Sequence, residues 1–204
     1  MKFQRLLAIM LCALLVSVTV CSSVKAEDAI KGKIGLGSWL TAVDYKDLKV
    51  TSNKDGSVLF QTDFKDRKSL KDWSVFKGKW QIKGGLLRQN TEEEDCRVTI
   101  GDVNWTDYTL EVKARKIGGK EGFLIDFGFQ DDNNYYHLNI GGWNNTQSVI
   151  EKTANGTHHI FIGDAFPHSV EEGVWYDIKI VVSGMSVKCY FNGKLVVNEV
   201  DDGM

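Results

Sequence analysis

The sequence predicts an all-β fold, built as a two-sheet antiparallel sandwich of the jelly-roll type. After residue 26 the chain has a single proline, twenty glycines and many short runs of β-branched and aromatic residues. Gly, Asn, Asp and Lys separate these runs, within which apolar and polar residues alternate with period two. No segment keeps the period of an amphipathic helix. Because so many short strands need a shared core, we expect them to form two packed sheets or a barrel.

Residues 1–26 are predicted to be a secretory signal peptide. Lys2 and Arg5 precede an apolar run over residues 6–20, and small residues around Ala26 suit cleavage before Glu27. The run is shorter than the roughly 20 residues that a membrane-spanning helix needs. We therefore expect a mature chain of residues 27–204 that is secreted or periplasmic and has no membrane span.

Charge and length bound the partners and the number of domains. The predicted mature chain keeps all 27 acidic residues but loses three basic ones, so its net charge is negative. Nucleic acid is therefore not an expected partner. The remaining length suits one domain with one core. Oligomeric state is not predicted.

The predicted strands follow one another closely along the chain. They occupy residues 33–39, 43–50, 57–63, 80–83, 86–90, 96–100, 108–116, 123–130, 135–140, 147–153, 158–162, 175–182, 186–191 and 195–200. Gly or Asn marks a tight reversal at four places, where positive φ is needed. These are Lys54-Asp55-Gly56, Lys83-Gly84-Gly85, Asn155-Gly156 and Asn192-Gly193. Each predicts a hairpin between the neighbouring strands.

The segment 123–147 predicts a hairpin with one core face and one polar face. The core face is expected to carry Phe123, Ile125, Phe127, Phe129, Tyr136, Leu138 and Ile140. The opposite face would carry Asp126, Gln130, Tyr135, His137 and Asn139, and Trp143 follows in a polar loop. If residues 108–116 lie in the same sheet, Glu111 and Arg115 border this polar face.

Aromatic rings mixed with hydrogen-bonding side chains are typical of a carbohydrate site. Sugar C–H patches lie on rings such as Trp143, while hydroxyls need amide and carboxylate partners. The predicted carbohydrate-binding residues are Asp126, Gln130, Tyr135, His137, Asn139, Trp143 and Gln147. A plain solvated sheet face is the alternative.

Cysteines and metal ligands give weaker signals. Cys96 and Cys189 of the mature chain could form a disulfide or remain buried thiols. No Cys/His spacing indicates zinc, and His158 and His159 are expected to point to opposite faces of a strand. No cofactor is expected, although acidic residues 92–95, or Asp63 with Asp66, leave a structural calcium ion open.

Two longer stretches resemble a known family. They are Asp-Asn-Asn-Tyr-Tyr-His-Leu-Asn-Ile-Gly-Gly-Trp over residues 132–143 and Gly-Val-Trp-Tyr-Asp-Ile-Lys-Ile over residues 173–180. The chain resembles the concanavalin A-like, laminin-G-like sandwich that accompanies the catalytic barrel in α-L-arabinofuranosidases of glycoside hydrolase family 51. Segments like 33–50 usually close such a sandwich at its C-terminal end, so the resemblance implies either a permuted N-terminal strand or the remnant of an earlier domain that has been lost. No barrel fits in this length, so the barrel's catalytic glutamates do not carry over.

A second resemblance is to the sandwich proteins named 3-keto-disaccharide hydrolases. Leu-Phe-Gln-Thr-Asp-Phe over residues 59–64 and Asp-Tyr-Thr-Leu-Glu-Val-Lys over residues 107–113 carry it. This resemblance implies that the sandwich itself is an enzyme, acting on a glycoside or a 3-keto-glycoside. Glu111, Asp126 and His137 are then the candidate catalytic residues, because a His beside carboxylates can move protons near neutral pH.

The predicted function is carbohydrate binding by a secreted module that is accessory to, or a fragment of, an α-L-arabinofuranosidase. Its expected partner is an arabinose-containing plant polysaccharide or oligosaccharide, and the module alone is expected to perform no catalysis. The hydrolase is one alternative. A structural or protein-binding laminin-G-like domain is another, because fold does not determine function.

Overall fold

A computed structural model describes residues 29–162 and 169–201, and the predicted signal peptide lies outside this part of the chain. The described residues form fifteen strands. In chain order these are β1 Lys33–Ser38, β2 Thr41–Ser52, β3 Val58–Thr62, β4 Ser74–Lys77, β5 Trp80–Lys83, β6 Leu86–Gln89, β7 Cys96–Ile100, β8 Tyr108–Gly119, β9 Phe123–Asp131, β10 Asn134–Gly141, β11 Gln147–Ala154, β12 Thr157–Ile162, β13 Trp175–Ser183, β14 Ser186–Phe191 and β15 Lys194–Val200. A 3-10 helix at Arg67–Asp72 and one helical turn at Gly142–Asn145 interrupt them.

The strands form two antiparallel sheets that pack face to face, which confirms the predicted sandwich. The seven-stranded sheet has the order β12-β11-β10-β9-β1-β7-β4 and is called the groove sheet below. The eight-stranded sheet has the order β15-β14-β13-β8-β2-β6-β5, with β3 also paired to β2, and is called the back sheet. No helix of the described residues is long and apolar enough to cross a membrane.

Every strand that the periodicity predicts is present, and the predicted hairpin turns join β2 to β3, β5 to β6, β11 to β12 and β14 to β15. Strand β4 was not predicted. Its sequence, Ser-Val-Phe-Lys, does not alternate between apolar and polar residues as a half-buried strand does, and all four residues are exposed.

One core lies between the two sheets. Large side chains from both sheets are fully buried there, among them Tyr45, Tyr108, Phe123 and Phe127. The buried hydroxyls are satisfied: Tyr45 donates to the Gly37 carbonyl at 2.5 Å, and the Tyr108 oxygen accepts from the Gly128 N–H at 2.9 Å.

The expected position of Phe129 on the inner face of the sheet is wrong, although its side chain is buried. Gly128 adopts a φ of 56°, and the pairing of β9 with its neighbours shifts register around it. This bulge reverses the alternation, so Phe129 leaves the core and packs on the outer face against Tyr135. Period-two patterns cannot show such an inserted residue.

The N-terminal segment supplies a central strand to each sheet. Strand β1 lies between β9 and β7, and β2 lies between β8 and β6. Residues 33–50 are therefore integral to the same sandwich. The permuted origin of this segment stays a prediction.

Cys96 and Cys189 are both buried and both free. They lie in different sheets, Cys96 on β7 and Cys189 on β14. Of the two alternatives that the sequence left open, the structure has the pair of buried thiols.

Candidate functional site

The outer face of the groove sheet carries a groove with a volume of about 440 Å³. Three aromatic side chains border it and polar groups form much of its floor. Its lining residues are Trp39, Asp95, Glu121, Leu124, Tyr135, His137, Asn139, Trp143, Glu151 and His158. They come from β9, β10, β11, β12 and the connections at one end of the sheet.

Strand register aligns three titratable residues across the floor. Asp126 on β9 is paired with His137 on β10, and His137 is paired with Glu151 on β11. Directly opposed residues of antiparallel strands place their side chains on the same face, about 5 Å apart. All three are buried. The sheet therefore holds a carboxylate on each side of one imidazole.

The imidazole of His137 contacts both carboxylates, but unequally. Its Nε2 makes a hydrogen bond with Oε2 of Glu151, and its Nδ1 lies 3.9 Å from Oδ1 of Asp126. From β12, His158 Nε2 approaches the same Glu151 oxygen at 3.4 Å. Glu151 is thus the common partner of two imidazoles.

These surroundings move the carboxyl pKa values in opposite directions. Burial dominates at Asp126 and raises its pKa, even though Arg97 and His137 act to lower it. At Glu151 burial also acts to raise the pKa, but the hydrogen bond and charge of His137 and the charge of His158 outweigh it. The pKa of the Glu151 carboxyl is therefore lowered. Carboxyls with divergent pKa values in one groove are a recognised feature of functional sites.

Arg97 packs beside Asp126 on the β7 side of the groove. Its side chain is only 4% exposed, and its guanidinium carbon lies 4.9 Å, 5.2 Å and 4.6 Å from the ring centroids of Phe76, Phe129 and Tyr135. Its Nε is 4.0 Å from Oδ2 of Asp126, and neither of these two atoms has a hydrogen-bond partner. Arg97 is thus the cation that most lowers the pKa of the buried Asp126 carboxyl against the effect of burial.

Trp143 stands at the groove rim on an unusual backbone turn. Trp143, Asn144 and Asn145 all have left-handed φ values, of 48°, 59° and 63°. Such conformations cost about 1 to 2 kcal/mol per residue, least for Asn, so the surrounding structure must hold them. Backbone strain of this kind gathers at ligand-binding segments.

Hydrogen bonds from outside the turn hold it in place. The Asn145 side chain donates to the Val170 carbonyl at 2.9 Å and accepts from the Val170 N–H at 2.8 Å. The Asn144 N–H donates to Glu121 Oε1 at 3.2 Å. Burial raises the pKa of that Glu121 carboxyl. The turn is therefore tied to the groove lining at Glu121.

The structure brings together most of the predicted site residues. Tyr135, His137, Asn139 and Trp143 line the groove, and Asp126 lies beneath them beside His137. Gln130 and Gln147 are not among the lining residues. The Gln130 amide instead donates to the carbonyls of Lys31 and Val103, at 2.5 Å and 2.8 Å, which joins two loops.

Six further lining residues were not predicted to bind carbohydrate: Trp39, Asp95, Glu121, Leu124, Glu151 and His158. Glu151 could in principle have been predicted as a site residue. It lies on the predicted strand 147–153, which follows the polar hairpin, at a position whose side chain points away from the core. Trp39 ends the predicted strand 33–39, whose apolar residues suggest a core position, yet its side chain is exposed.

Glu111 does not belong to this groove. It lies on β8 in the back sheet, where its nearest cation is Lys179 at 3.9 Å. The condition under which Glu111 and Arg115 would border the polar face, that β8 lies in the same sheet as the hairpin, is therefore not met. Among the three candidate catalytic residues, only Asp126 and His137 are brought together.

The acidic segment 92–95 divides into two environments. Residues 92–94 are exposed, whereas Asp95 turns into the groove lining, and burial raises its carboxyl pKa. Asp63 is engaged by Lys65 at 2.7 Å. In the described part of the chain, His137, Glu151 and His158 each offer one possible metal-ligand atom, and these three atoms lie within 4.8 Å of one another.

Comparisons with known proteins relate the chain to sugar-active proteins. A family model for the 3-keto-alpha-glucoside-1,2-lyase-like domain matches residues 59–204, beginning within β3. An extracellular exo-alpha-L-arabinofuranosidase of Streptomyces chartreusis is 41% identical over 167 residues, which are 81% of this chain and 20% of that protein. The chain thus spans about a fifth of the length of this relative. No solved structure matches it.

Proposed function

This chain belongs to the family of 3-keto-alpha-glucoside-1,2-lyase-like domains, and from that premise we propose that its groove binds a sugar ring of a glycoside. The observation that carries the proposal is the pairing of exposed tryptophans with a buried polar floor. Trp39 and Trp143 are 37% and 39% exposed, although large aromatic side chains usually bury most of their surface. Both line the same groove.

The two kinds of surface match the two kinds of sugar surface. Indole rings offer flat apolar faces to the C–H patches of a pyranose or furanose. Between them, Asn139, His137 and Glu151 supply donors and acceptors for hydroxyl groups. Because these polar side chains are buried and held by their neighbours, little conformational entropy is lost when a ligand binds.

The favoured ligand is an arabinose-containing oligosaccharide. The relative from Streptomyces chartreusis is named an extracellular exo-alpha-L-arabinofuranosidase, and this chain corresponds to only about a fifth of its length. A module of that size suits targeting rather than the whole reaction. We therefore assign the chain an extracytoplasmic binding role beside arabinofuranosidase activity, with no part in cleavage by itself.

Calorimetric titration of the purified protein with arabinan and arabinoxylan oligosaccharides tests this function. Saturable heat without released sugar is expected, and Trp143→Ala and Trp39→Ala should each weaken binding by about tenfold, since stacking on one ring contributes about 1 to 1.5 kcal/mol. Trp175→Ala is the matched control, because Trp175 lies on the back sheet under Lys46 and Arg115. Equal losses in all three variants, or no heat with any saccharide, would refute the proposal.

A second candidate function is elimination on a 3-keto-glycoside, and the contact between His137 and Glu151 favours it. The family description names a 1,2-lyase acting on such a substrate. In a 1,2-elimination a base removes the C2 proton, which the C3 ketone acidifies. The C2–H electron pair then forms the C1=C2 bond, the C1–O bond breaks, and the departing oxygen takes up a proton.

Such a reaction needs a base and an acid that face one sugar ring. The His137–Glu151 pair on the floor is the candidate base, and Glu121 at the rim is the candidate acid. Mass spectrometry of 3-keto-glycosides incubated with the protein tests this function. An unsaturated keto-sugar should form and be lost in Glu121→Gln but retained in Glu93→Gln, whose side chain lies in the exposed acidic segment. An unchanged substrate would leave binding as the function.

A further inference from the structure

We infer that His137, Glu151 and His158 form a binding site for one divalent transition-metal ion on the floor of the groove. Their ligand atoms lie within 4.8 Å of one another, although the residues come from three successive strands, β10, β11 and β12. The inference goes beyond sugar binding, because the chemistry of the cluster requires no saccharide.

The separations suit coordination to a common ion. Zn–N and Zn–O bonds of about 2.0 to 2.2 Å in tetrahedral geometry place neighbouring ligand atoms about 3.3 Å apart. His158 Nε2 lies 3.4 Å from Glu151 Oε2, and His137 Nε2 contacts that same oxygen. Small rotations of the two imidazoles would therefore bring all three atoms to bonding distance of one point.

Both histidines have an oxygen atom near Nδ1, on the side where metal-binding histidines have their outer partners, although only that of His158 is within hydrogen-bond distance. Nδ1 of His158 lies 3.3 Å from the Thr153 hydroxyl, and Nδ1 of His137 lies 3.9 Å from Asp126 Oδ1. With the ring proton on Nδ1, as in metal-bound histidines, each Nε2 would offer its lone pair to an ion in place of its present contact with Glu151. The same orientation occurs at two histidines on different strands, which ordinary ion pairing with Glu151 does not require.

Glu151 is also oriented for coordination. Its side chain is almost fully buried, and the Asn139 amide forms a further hydrogen bond to the carboxylate. Hydrogen-bonded carboxylates of this kind keep one oxygen aimed at a metal ion. Because the carboxylate is held on the groove floor, the ion would face the groove.

The ligand set selects the class of ion. Two imidazoles and one carboxylate suit zinc and its first-row neighbours, whereas calcium and magnesium prefer oxygen ligands alone. Three protein ligands leave at least one coordination position open, as in catalytic rather than structural zinc sites. That position would take water or an oxygen of the bound sugar. Metal binding would also commit His137 and Glu151 to coordination, and so disfavour proton transfer by them.

Metal titration without any saccharide tests the site, so its failure is distinguishable from failure of the proposed sugar binding. The purified protein, stripped with a chelator, is titrated with Zn²⁺ in a calorimeter and with Co²⁺ in an absorption spectrometer. One ion per chain and visible d–d bands of a low-coordinate Co²⁺ complex are expected. His158→Ala should weaken binding at least tenfold, and Thr153→Val by about tenfold, the lower range for outer partners of a ligand.

His159→Ala is the matched control, because His159 adjoins His158 on β12, is exposed and does not belong to the cluster. It should bind as the unmodified protein does. His158 is itself half exposed, so its substitution is compatible with folding, and circular dichroism verifies this. Absent binding, or equal losses in His158→Ala and His159→Ala, would overturn the site and leave Glu151 as an ion-pair partner only.

Discussion

Gly35 on β1 faces Asp126 on β9, and the missing side chain of Gly35 is what admits the Asp126 carboxylate to the groove floor. The two residues are paired in register, and a Cβ at Gly35 would lie 2.5 Å from Oδ2 of Asp126. The backbone of Gly35 does not require positive φ. Its role is therefore to leave space rather than to provide a turn.

Gly35→Ala is accordingly predicted to destabilise the fold and to disturb the groove. Overpacking of a buried site costs about 1 to 3 kcal/mol, and here the displaced group is a buried carboxylate beside His137. Urea unfolding should show a lower midpoint, with a parallel loss of ligand affinity. Gly118→Ala on β8 is the control, because nothing lies within 4 Å of a Cβ there. A larger loss for Gly118→Ala than for Gly35→Ala would contradict this account.

The sandwich was predictable from sequence because its signals are local. Alternating apolar residues define single strands, and pairs such as Asn155-Gly156 define the hairpins that order β9 to β12. The groove depends on information of another kind. His158 is paired with Thr153 and reaches Glu151 diagonally on the same face of the sheet. Which strands pair, and in which register, depends on packing between strands, so alternation alone does not bring His137, Glu151 and His158 together.

Asp44 in the back sheet is predicted to be a major source of stability. It is fully buried and accepts two hydrogen bonds from Arg88, at 2.6 Å and 2.8 Å, and one from Arg115 at 2.6 Å. Breaking a buried pair costs about 3 to 5 kcal/mol. Because both guanidinium groups remain partly exposed, we expect Asp44→Asn to lose about 3 kcal/mol in the free energy of unfolding.

The control for Asp44 is an ion pair on the surface of the same sheet. Asp177 lies 2.5 Å from Lys113, but both side chains are substantially exposed. Exposed pairs contribute about 0 to 1 kcal/mol, so Asp177→Asn should change stability little. Similar losses in the free energy of unfolding for Asp44→Asn and Asp177→Asn, measured in urea, would show that burial of Asp44 does not determine its contribution to stability.

Asn145 is predicted to hold Trp143 ready for a sugar ring. Asn145→Ala removes both hydrogen bonds to the Val170 backbone. The turn would then be ordered only on binding, at a cost of about 1 kcal/mol or fivefold in saccharide affinity. Asn192→Ala is the control, because Asn192 also has a left-handed φ and bonds a backbone N–H, but in the back sheet. Equal saccharide affinity of the two variants would show that Asn145 does not contribute to binding.

Cys96 and Cys189 are predicted to stay reduced and unreactive in the folded protein. Both thiols are buried in different sheets, and burial raises the pKa of each. Since the thiolate is the reactive form, an aromatic disulfide reagent should label neither residue rapidly in buffer and both in guanidinium. A mass lower by the two thiol hydrogens, or a melting temperature that falls with reductant, would indicate a disulfide instead.

Arg97 and Asp126 are predicted to stabilise the groove floor as a coupled pair. Arg97 lies among three aromatic rings, and it is the cation that most offsets the effect of burial on the pKa of Asp126. Arg97→Met would leave the Asp126 carboxyl buried without that cation. Asp126→Asn removes the negative charge of the carboxylate. Arg97→Met should therefore lower the free energy of unfolding by less when Asp126→Asn is also present.

A double-mutant cycle in urea measures this coupling. Arg97→Met, Asp126→Asn and their combination should give an interaction free energy of about 1 to 3 kcal/mol, because the two groups share one buried environment. The double variant should then be more stable than the sum of the single losses implies. Additivity within about 0.5 kcal/mol would mean that Arg97 acts through its aromatic neighbours and through Asp95 and Asp132, and that the 4.0 Å between Nε and Oδ2 carries no energetic link.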